Sequence, residues 1–277
     1  MEFIDLRKLH WESNEVNTTG IGAYLKARDM SCSPIIYYKL SKFDNYSCQI
    51  IGYESFFEVV ASRLGELLGL PVLHYDLIDA LIRIDTKYRE NAVELRSFLC
   101  RSVEFGRGDE SKSSLGAWYK WHFRSNFNVE ANLRKVSLYI SDYIDKLFIF
   151  DYLICNRDRH EANIEVLIKK DGKLRLSPFF DNGASFVAPF GMDRRAIESF
   201  DVIFDRPVHN FIGASKLEEN LHHICKPVMI KRLDKNFKEI LFKDMDMLPD
   251  YVKKAIVRTI TYRYTFLVKN GFVKIYR

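Results

Sequence analysis

Near the middle of the 277-residue chain stand Asp158-Arg159-His160-Glu161-Ala162-Asn163, and eighteen positions after the asparagine comes Asp181-Asn182-Gly183. Those residue types at that spacing suit phosphoryl transfer from a nucleotide. The reaction asks for one carboxylate to orient an attacking hydroxyl and accept its proton, and for two oxygen ligands to hold Mg²⁺ against the phosphates. Asp158 fits the first role. Asn163 and Asp181 fit the second, because a hard cation takes oxygen donors. Alone, Asp158 would read as a turn cap; its spacing to Asn163 and Asp181 argues for chemistry. His160, in the same catalytic loop, is placed to shuttle a proton or ligate a metal, or to serve as hydrogen-bonding scaffold around Asp158, which is the reading favoured here. Arg159 and Asn156 read as structural, and Asp151 as a group that bonds the loop from below.

An anion cradle is the next requirement. Thr19, Gly20 and Gly22, within Thr18-Thr19-Gly20-Ile21-Gly22-Ala23, form a candidate phosphate-covering turn, since glycine lets backbone amides approach an anion closely. Downstream, Ile35-Ile36-Tyr37-Tyr38-Lys39-Leu40 is rich in β-branched and aromatic residues and reads as a strand. Period-two alternation puts Ile35, Tyr37 and Lys39 on one face. A lysine there either snorkels to an exposed edge or presents a point charge to phosphate; the second is the expectation.

The elements that would position these groups follow from periodicity. Apolar residues from Phe56 to Leu68 recur at helical spacing until Gly69-Leu70-Pro71 stops them. Extended runs 72–84 and 92–105 flank a polar turn, so the first hundred residues read strand, strand, helix, strand, strand. The stretch from Gly106 to Ser114 is the most linker-like in the chain, which places a boundary between residues 1–105 and 106–277. Ser137 to Ile154 is apolar nearly all round and reads as a core helix. Beyond the catalytic loop, Lys170-Asp171-Gly172-Lys173 between two apolar runs predicts a hairpin. From Ser215 onward the chain reads as helical, with Ser215-x-x-Glu218 as a capping box and Pro249 opening the last helix.

The catalytic-loop spacing resembles that of the HipA-like bacterial serine/threonine kinases and, more distantly, the phosphatidylinositol kinases, whose loops read D-R-H-x-x-N followed by an Asp-x-Gly metal motif. The resemblance runs from Lys39 to about His223. It implies an α+β, bilobal, protein-kinase-like fold: a small, mainly β, nucleotide-binding N-lobe (1–105) with one key helix, and a larger, mainly α C-lobe (106–277). It implies ATP and Mg²⁺ as cofactors and a lysine, Lys39, that contacts phosphates and pairs with a helix glutamate, Glu58. Two dull readings stand beside Glu58: Ser55-Phe56-Phe57-Glu58 is itself a capping box, and Glu54 is an alternative partner for Lys39. The chain departs from relatives at Asn182, where eukaryotic protein kinases have Phe, and lacks the third glycine of a full phosphate loop.

Composition bounds the alternatives. With 47% apolar and 29% charged residues the chain is globular. It has no apolar run of membrane-spanning length, and Met1-Glu2-Phe3-Ile4-Asp5 has acids where a signal peptide is basic, so a soluble, cytoplasmic protein with free thiols at its five scattered cysteines is expected; export without a cleavable signal stays open. A net charge of +5 with interleaved signs gives no indication of nucleic-acid binding, and the stripe Lys253, Lys254, Arg258, Arg263 reads as a solvated face. The expected activity is transfer of the γ-phosphate to a protein hydroxyl, with autophosphorylation as an accompaniment. A lipid kinase is the alternative, disfavoured because residues 184–206 carry three arginines against four acids. A nucleotide-binding regulator of toxin/antitoxin type, with an antitoxin-like partner, is a third.

Overall fold

The computed structural model describes every residue except 1–2, 14–20, 87, 126, 206 and 277. The chain opens with β1 (Phe3–Asp5) and β2 (Glu12–Ser13), then β3 (Ile21–Ala23), β4 (Leu25–Asp29) and β5 (Ile36–Leu40). Two short strands, β6 (Phe43–Asp44) and β7 (Gln49–Ile50), lead to α1 (Glu54–Leu68), which Gly69 ends in a left-handed cap at φ 73°. A long antiparallel pair follows, β8 (Asp76–Ile84) and β9 (Val93–Val103).

These strands build a six-stranded sheet in the order β1-β8-β9-β5-β4-β2, with β3, β6 and β7 as a small separate sheet. Alternation sorts its residues. Leu25, Ala27, Tyr38, Leu40, Ile82 and Leu99 are buried in one apolar cluster on the outer face. Cys100 and Leu77 join α1 residues such as Phe57 and Val60 in the main core on the other face. Because Tyr38 and Leu40 fill the outer cluster, Lys39 between them must face α1.

The remainder holds β10 (Glu110–Ser114), α2 (Leu115–Phe123), α3 (Val129–Val136) and α4 (Leu138–Ile154). The Ser137 hydroxyl accepts the Ile140 N–H to cap α4, and Ile144, Leu147, Phe150 and Leu153 are wholly or almost wholly buried. Each such side chain contributes roughly 1.5–3 kcal/mol on burial, which makes α4 the axis of this half. After it come β11 (Asp158–Arg159), β12 (Glu165–Lys169), β13 (Leu174–Leu176), α5 (Arg194–Glu198), β14 (His209–Asn210) and α6 (Leu217–Leu221). The chain finishes with β15 (Val228–Lys231), α7 (Phe237–Leu241), α8 (Asp250–Lys269) and β16 (Val273–Tyr276). The hairpin turn expected at Asp171-Gly172 is present between β12 and β13, with Gly172 at φ 82°.

Several sequence expectations are corrected. The linker-like stretch contains β10, which pairs along its whole length with β12; strand pairing overrides its Gly/Ser composition. The carboxyl-terminal part is not all helical, because β15 and β16 pair in parallel across a separation too long for local periodicity to reveal. Ser215 does not cap α6. The Asp205 carboxylate accepts the N–H groups of Leu217 and Glu218 instead. Arg263 leaves the proposed solvated stripe: it is buried and donates to the Tyr152 carbonyl. Among the described residues no helix is long and apolar enough to cross a membrane.

Candidate active site

A cleft of about 610 Å³ runs between the α1 face of the large sheet and the loops that follow α4. Its sheet-side wall carries Lys39 on β5 and Lys26 on β4, directly opposite one another in the strand register. The Lys39 ammonium lies 2.7 Å from Glu58 Oε1 and 2.9 Å from Asp181 Oδ1. Lys26 reaches the other Asp181 oxygen at 3.2 Å. Glu58, almost wholly buried on α1, also accepts the Asn182 backbone N–H through Oε2 at 2.8 Å. The helix glutamate thus ties the sheet lysine to the Asp181 segment, and no capping box forms at Ser55. Glu54, the other candidate partner, instead accepts the Lys42 N–H at 2.9 Å.

The charges explain each other. Burial by itself would depress Lys39, but the Asp181 and Glu58 carboxylates outweigh it and hold the ammonium well above its usual pKa. Burial would raise Asp181; Lys39 and Lys26 overcome that and keep it well below the usual carboxylate range. Removing one partner would strand the others, a loss of roughly 3–5 kcal/mol for a buried pair. Asp181 adopts φ 56°, a left-handed conformation that Asp tolerates better than most residues.

The opposite wall is the loop after α4. Cys155 ends the helix in a left-handed cap, and Asp158 and Arg159 then form β11, paired in parallel with β14. Arg159 is buried beneath the loop and organises it: its guanidinium bonds both Asp151 oxygens at 3.1 and 2.8 Å, the Phe180 carbonyl at 2.6 Å and Asn182 Oδ1 at 2.7 Å. Asn156 adds a bond to Asp151 at 3.0 Å. Asn163 Nδ2 donates to the Asp158 carbonyl at 2.8 Å. This leaves Asp158's side chain half-exposed at the cleft mouth, with His209 Nδ1 at 3.3 Å and His160 Nε2 at 3.9 Å. His160 Nδ1 meanwhile accepts the Ala162 N–H at 3.2 Å, a loop-shaping contact.

No family model matches the chain, and no curated protein matches its sequence. Among solved structures, the crystal structure of a Helicobacter pylori proinflammatory kinase, CtkA, superposes with a TM-score of 0.62 at 15% identity, covering 98% of this chain and 97% of that one. The fold is kinase-like. A mixed architecture with a sheet-rich part and a helical part, as expected from the sequence, extends over nearly the whole molecule.

Within that kinase-like fold, Lys39, Glu58, Asp158, His160, Asn163 and Asp181 lie in or line one cleft. Gly22 falls in β3, which pairs with β6; Thr19 and Gly20 lie outside the described residues. Two residues beside the candidate acids escaped sequence reasoning, Lys26 at Asp181 and His209 at Asp158. Lys26 had a usable signal, since it alternates with buried Leu25 and Ala27 just as Lys39 alternates with Tyr38 and Leu40. His209 had none, because only the pairing of two-residue strands brings it to Asp158. The donor set suits Mg²⁺: Asp181 offers a carboxylate, and Asn163, whose NH₂ end is committed to Asp158, has its amide oxygen left for a cation. Among the described residues no cluster of three or more His, Cys, Asp or Glu side chains could hold a metal ion. Two oxygen donors would leave a hard ion to fill the rest of its shell with water and phosphate oxygens.

Proposed function

We propose that the chain is an ATP-dependent protein kinase of HipA-like type, which transfers the γ-phosphoryl group to a serine or threonine hydroxyl of a protein. The observation that carries this reading is the Lys39 ammonium, held between Glu58 and Asp181 on one wall of the cleft whose other wall presents Asp158. In this reading residues 1–105 form the nucleotide-binding lobe and 106–277 the catalytic lobe, with ATP between them.

Each residue then has a defined task. Lys39 stays cationic in its carboxylate cage and binds phosphate oxygens as a point charge. Asp158 orients the incoming hydroxyl and accepts its proton while the new P–O bond forms and the bond to the ADP oxygen breaks; the proton then leaves to solvent. When bound to Asp181 and Asn163, Mg²⁺ supplies charge neutralisation on the phosphates. Arg159 touches no substrate in this scheme and keeps the loop's shape.

Incubation with radiolabelled ATP and casein, beside a parallel arm with phosphoinositide vesicles, tests the assignment. Label should enter protein. Asp158→Asn should cut incorporation by about 10²–10⁴-fold, the usual contribution of a positioned base, with ATP affinity by calorimetry nearly unchanged. Undiminished labelling by Asp158→Asn, or label entering the lipid alone, overturns it.

A further inference from the structure

A groove of about 890 Å³ lies away from the cleft along α8. Helix α8 buries Val252, Ile256, Thr259, Ile260 and Leu267 against the core. Its opposite face, recurring at i, i+3, i+4 and i+7 from Asp250 to Lys269, lines the groove, and Lys238 and Phe242 supply a second wall. The floor is apolar: Phe242, Val257, Tyr262 and Phe266 are only half-buried there.

The rim is mostly basic. Among the described residues, Lys238, Lys253, Lys254, Arg258 and Lys269 line it with one acid, Asp250. None of the ion pairs among the described residues involves any of these five cations. Arg258 is anchored by hydrogen bonds to the Phe200 and Glu198 carbonyls, which fixes its charge at the groove edge. The whole chain has a net charge of only +5, so this groove concentrates an excess that elsewhere is interleaved with acids.

We propose that the α8 groove is a docking site for an acidic amphipathic helix of a partner protein. Charge complementarity argues for acids on the partner, and the apolar floor argues for a stripe of large side chains between them. Twenty helical residues span roughly 30 Å, enough for a partner helix of several turns read through i, i+3, i+4 and i+7 anchors. Duplex nucleic acid matches the rim, but its outward phosphate backbone has nothing apolar to bury on Val257 and Phe266. A bilayer needs apolar side chains that protrude, whereas these are partly buried and packed against the core.

The proposal does not depend on phosphoryl transfer, and its test reads binding alone. The probe is a fluorescein-labelled, twenty-residue helical peptide with leucines at i, i+3, i+4 and i+7 and glutamates flanking them, titrated with the full chain and followed by polarisation. Controls are the same peptide with serine for leucine, a duplex DNA, and vesicles containing phosphatidylserine. Micromolar binding is expected that weakens with salt, falls at least tenfold with Lys254→Glu/Lys269→Glu, and falls likewise for the serine peptide. A lysine-flanked peptide should in turn prefer the double variant. Both substituted lysines lie outside the cleft; if the double variant melts early, Lys269→Glu in the last turn gives the same comparison. Absence of binding, equal binding by the double variant or the serine peptide, or variant-sensitive binding of DNA or vesicles in preference to the peptide overturns the proposal.

Discussion

Arg159 donates through Nη2 to Asn182 Oδ1 at 2.7 Å, joining the loop that carries Asp158 to the segment that carries Asp181. Both residues are buried, so this bond is not weakened by water. It also gives a physical reason for an amide at position 182, since an apolar side chain would leave part of the guanidinium unanswered. Asn182→Ala should therefore lower the unfolding free energy by about 1.5–3 kcal/mol, the usual worth of a hydrogen bond to a buried charge. Urea denaturation followed by circular dichroism measures it, and a loss under about 0.5 kcal/mol would contradict the network.

Asp181 makes stability depend on acid. Burial would raise its pKa, and the Lys39 and Lys26 charges more than reverse this, so the folded value lies well below the unfolded value of about 3.9. A depressed carboxylate stabilises the fold above its unfolded pKa, and that stability is lost as pH falls through the interval toward the folded pKa. From about pH 4 downward Asp181 should contribute a slope of up to about 1.4 kcal/mol per pH unit. Denaturation series at pH 5, 4, 3 and 2.5 should show a shallower fall for Asp181→Asn; parallel curves would exclude the coupling.

Lys26 should matter to phosphate binding although nothing in the catalytic-loop pattern points to it. It lies across the strand pair from Lys39 and touches the same carboxylate, which places a second cation on the wall where triphosphate would lie. Being more exposed than Lys39, at 30% against 16% of its side chain, it acts through a wetter medium and should contribute less. Lys26→Ala is expected to weaken ATP binding by roughly fivefold, about 1 kcal/mol, and Lys39→Ala by more. Calorimetry on both variants decides the order.

The sequence revealed what local chemistry determines and hid what strand pairing determines. α1 and α4 were legible because long apolar periodicities end at Gly69 and begin at Ser137, and the β8/β9 hairpin because a polar stretch divides two extended runs. That Asp158, Asn163 and Asp181 would share one cleft was legible because their spacing is set within one loop and one hairpin. β10 was hidden by a composition that suits a linker, and β15 and β16 by their brevity and distance apart. His209 reaches Asp158 only through the β11/β14 pairing, which no neighbouring residue announces. Glu58 sat between these extremes: its helix was plain, but choosing Lys39 over a capping role needed the register that turns Lys39 toward α1.

The Asp205 carboxylate offers a last test, because it does by tertiary contact what Ser215 was expected to do locally. Its two oxygens accept the Leu217 and Glu218 N–H groups at 3.1 and 3.0 Å, satisfying two of the donors that the start of α6 would otherwise leave open. It also carries the negative charge that a helix start favours. Because Asp205 lies twelve residues before Leu217, the same contact pins the segment leading from α5 to β14, and so the approach to His209. Asp205→Ala should cost about 1 kcal/mol, within the 0.5–2 kcal/mol span of lost caps, and hydrogen exchange should rise at Leu217 and Glu218. Ser215→Ala should change neither. If Ser215→Ala proves the more damaging, the cap is local after all and the segment before β14 is held by something else.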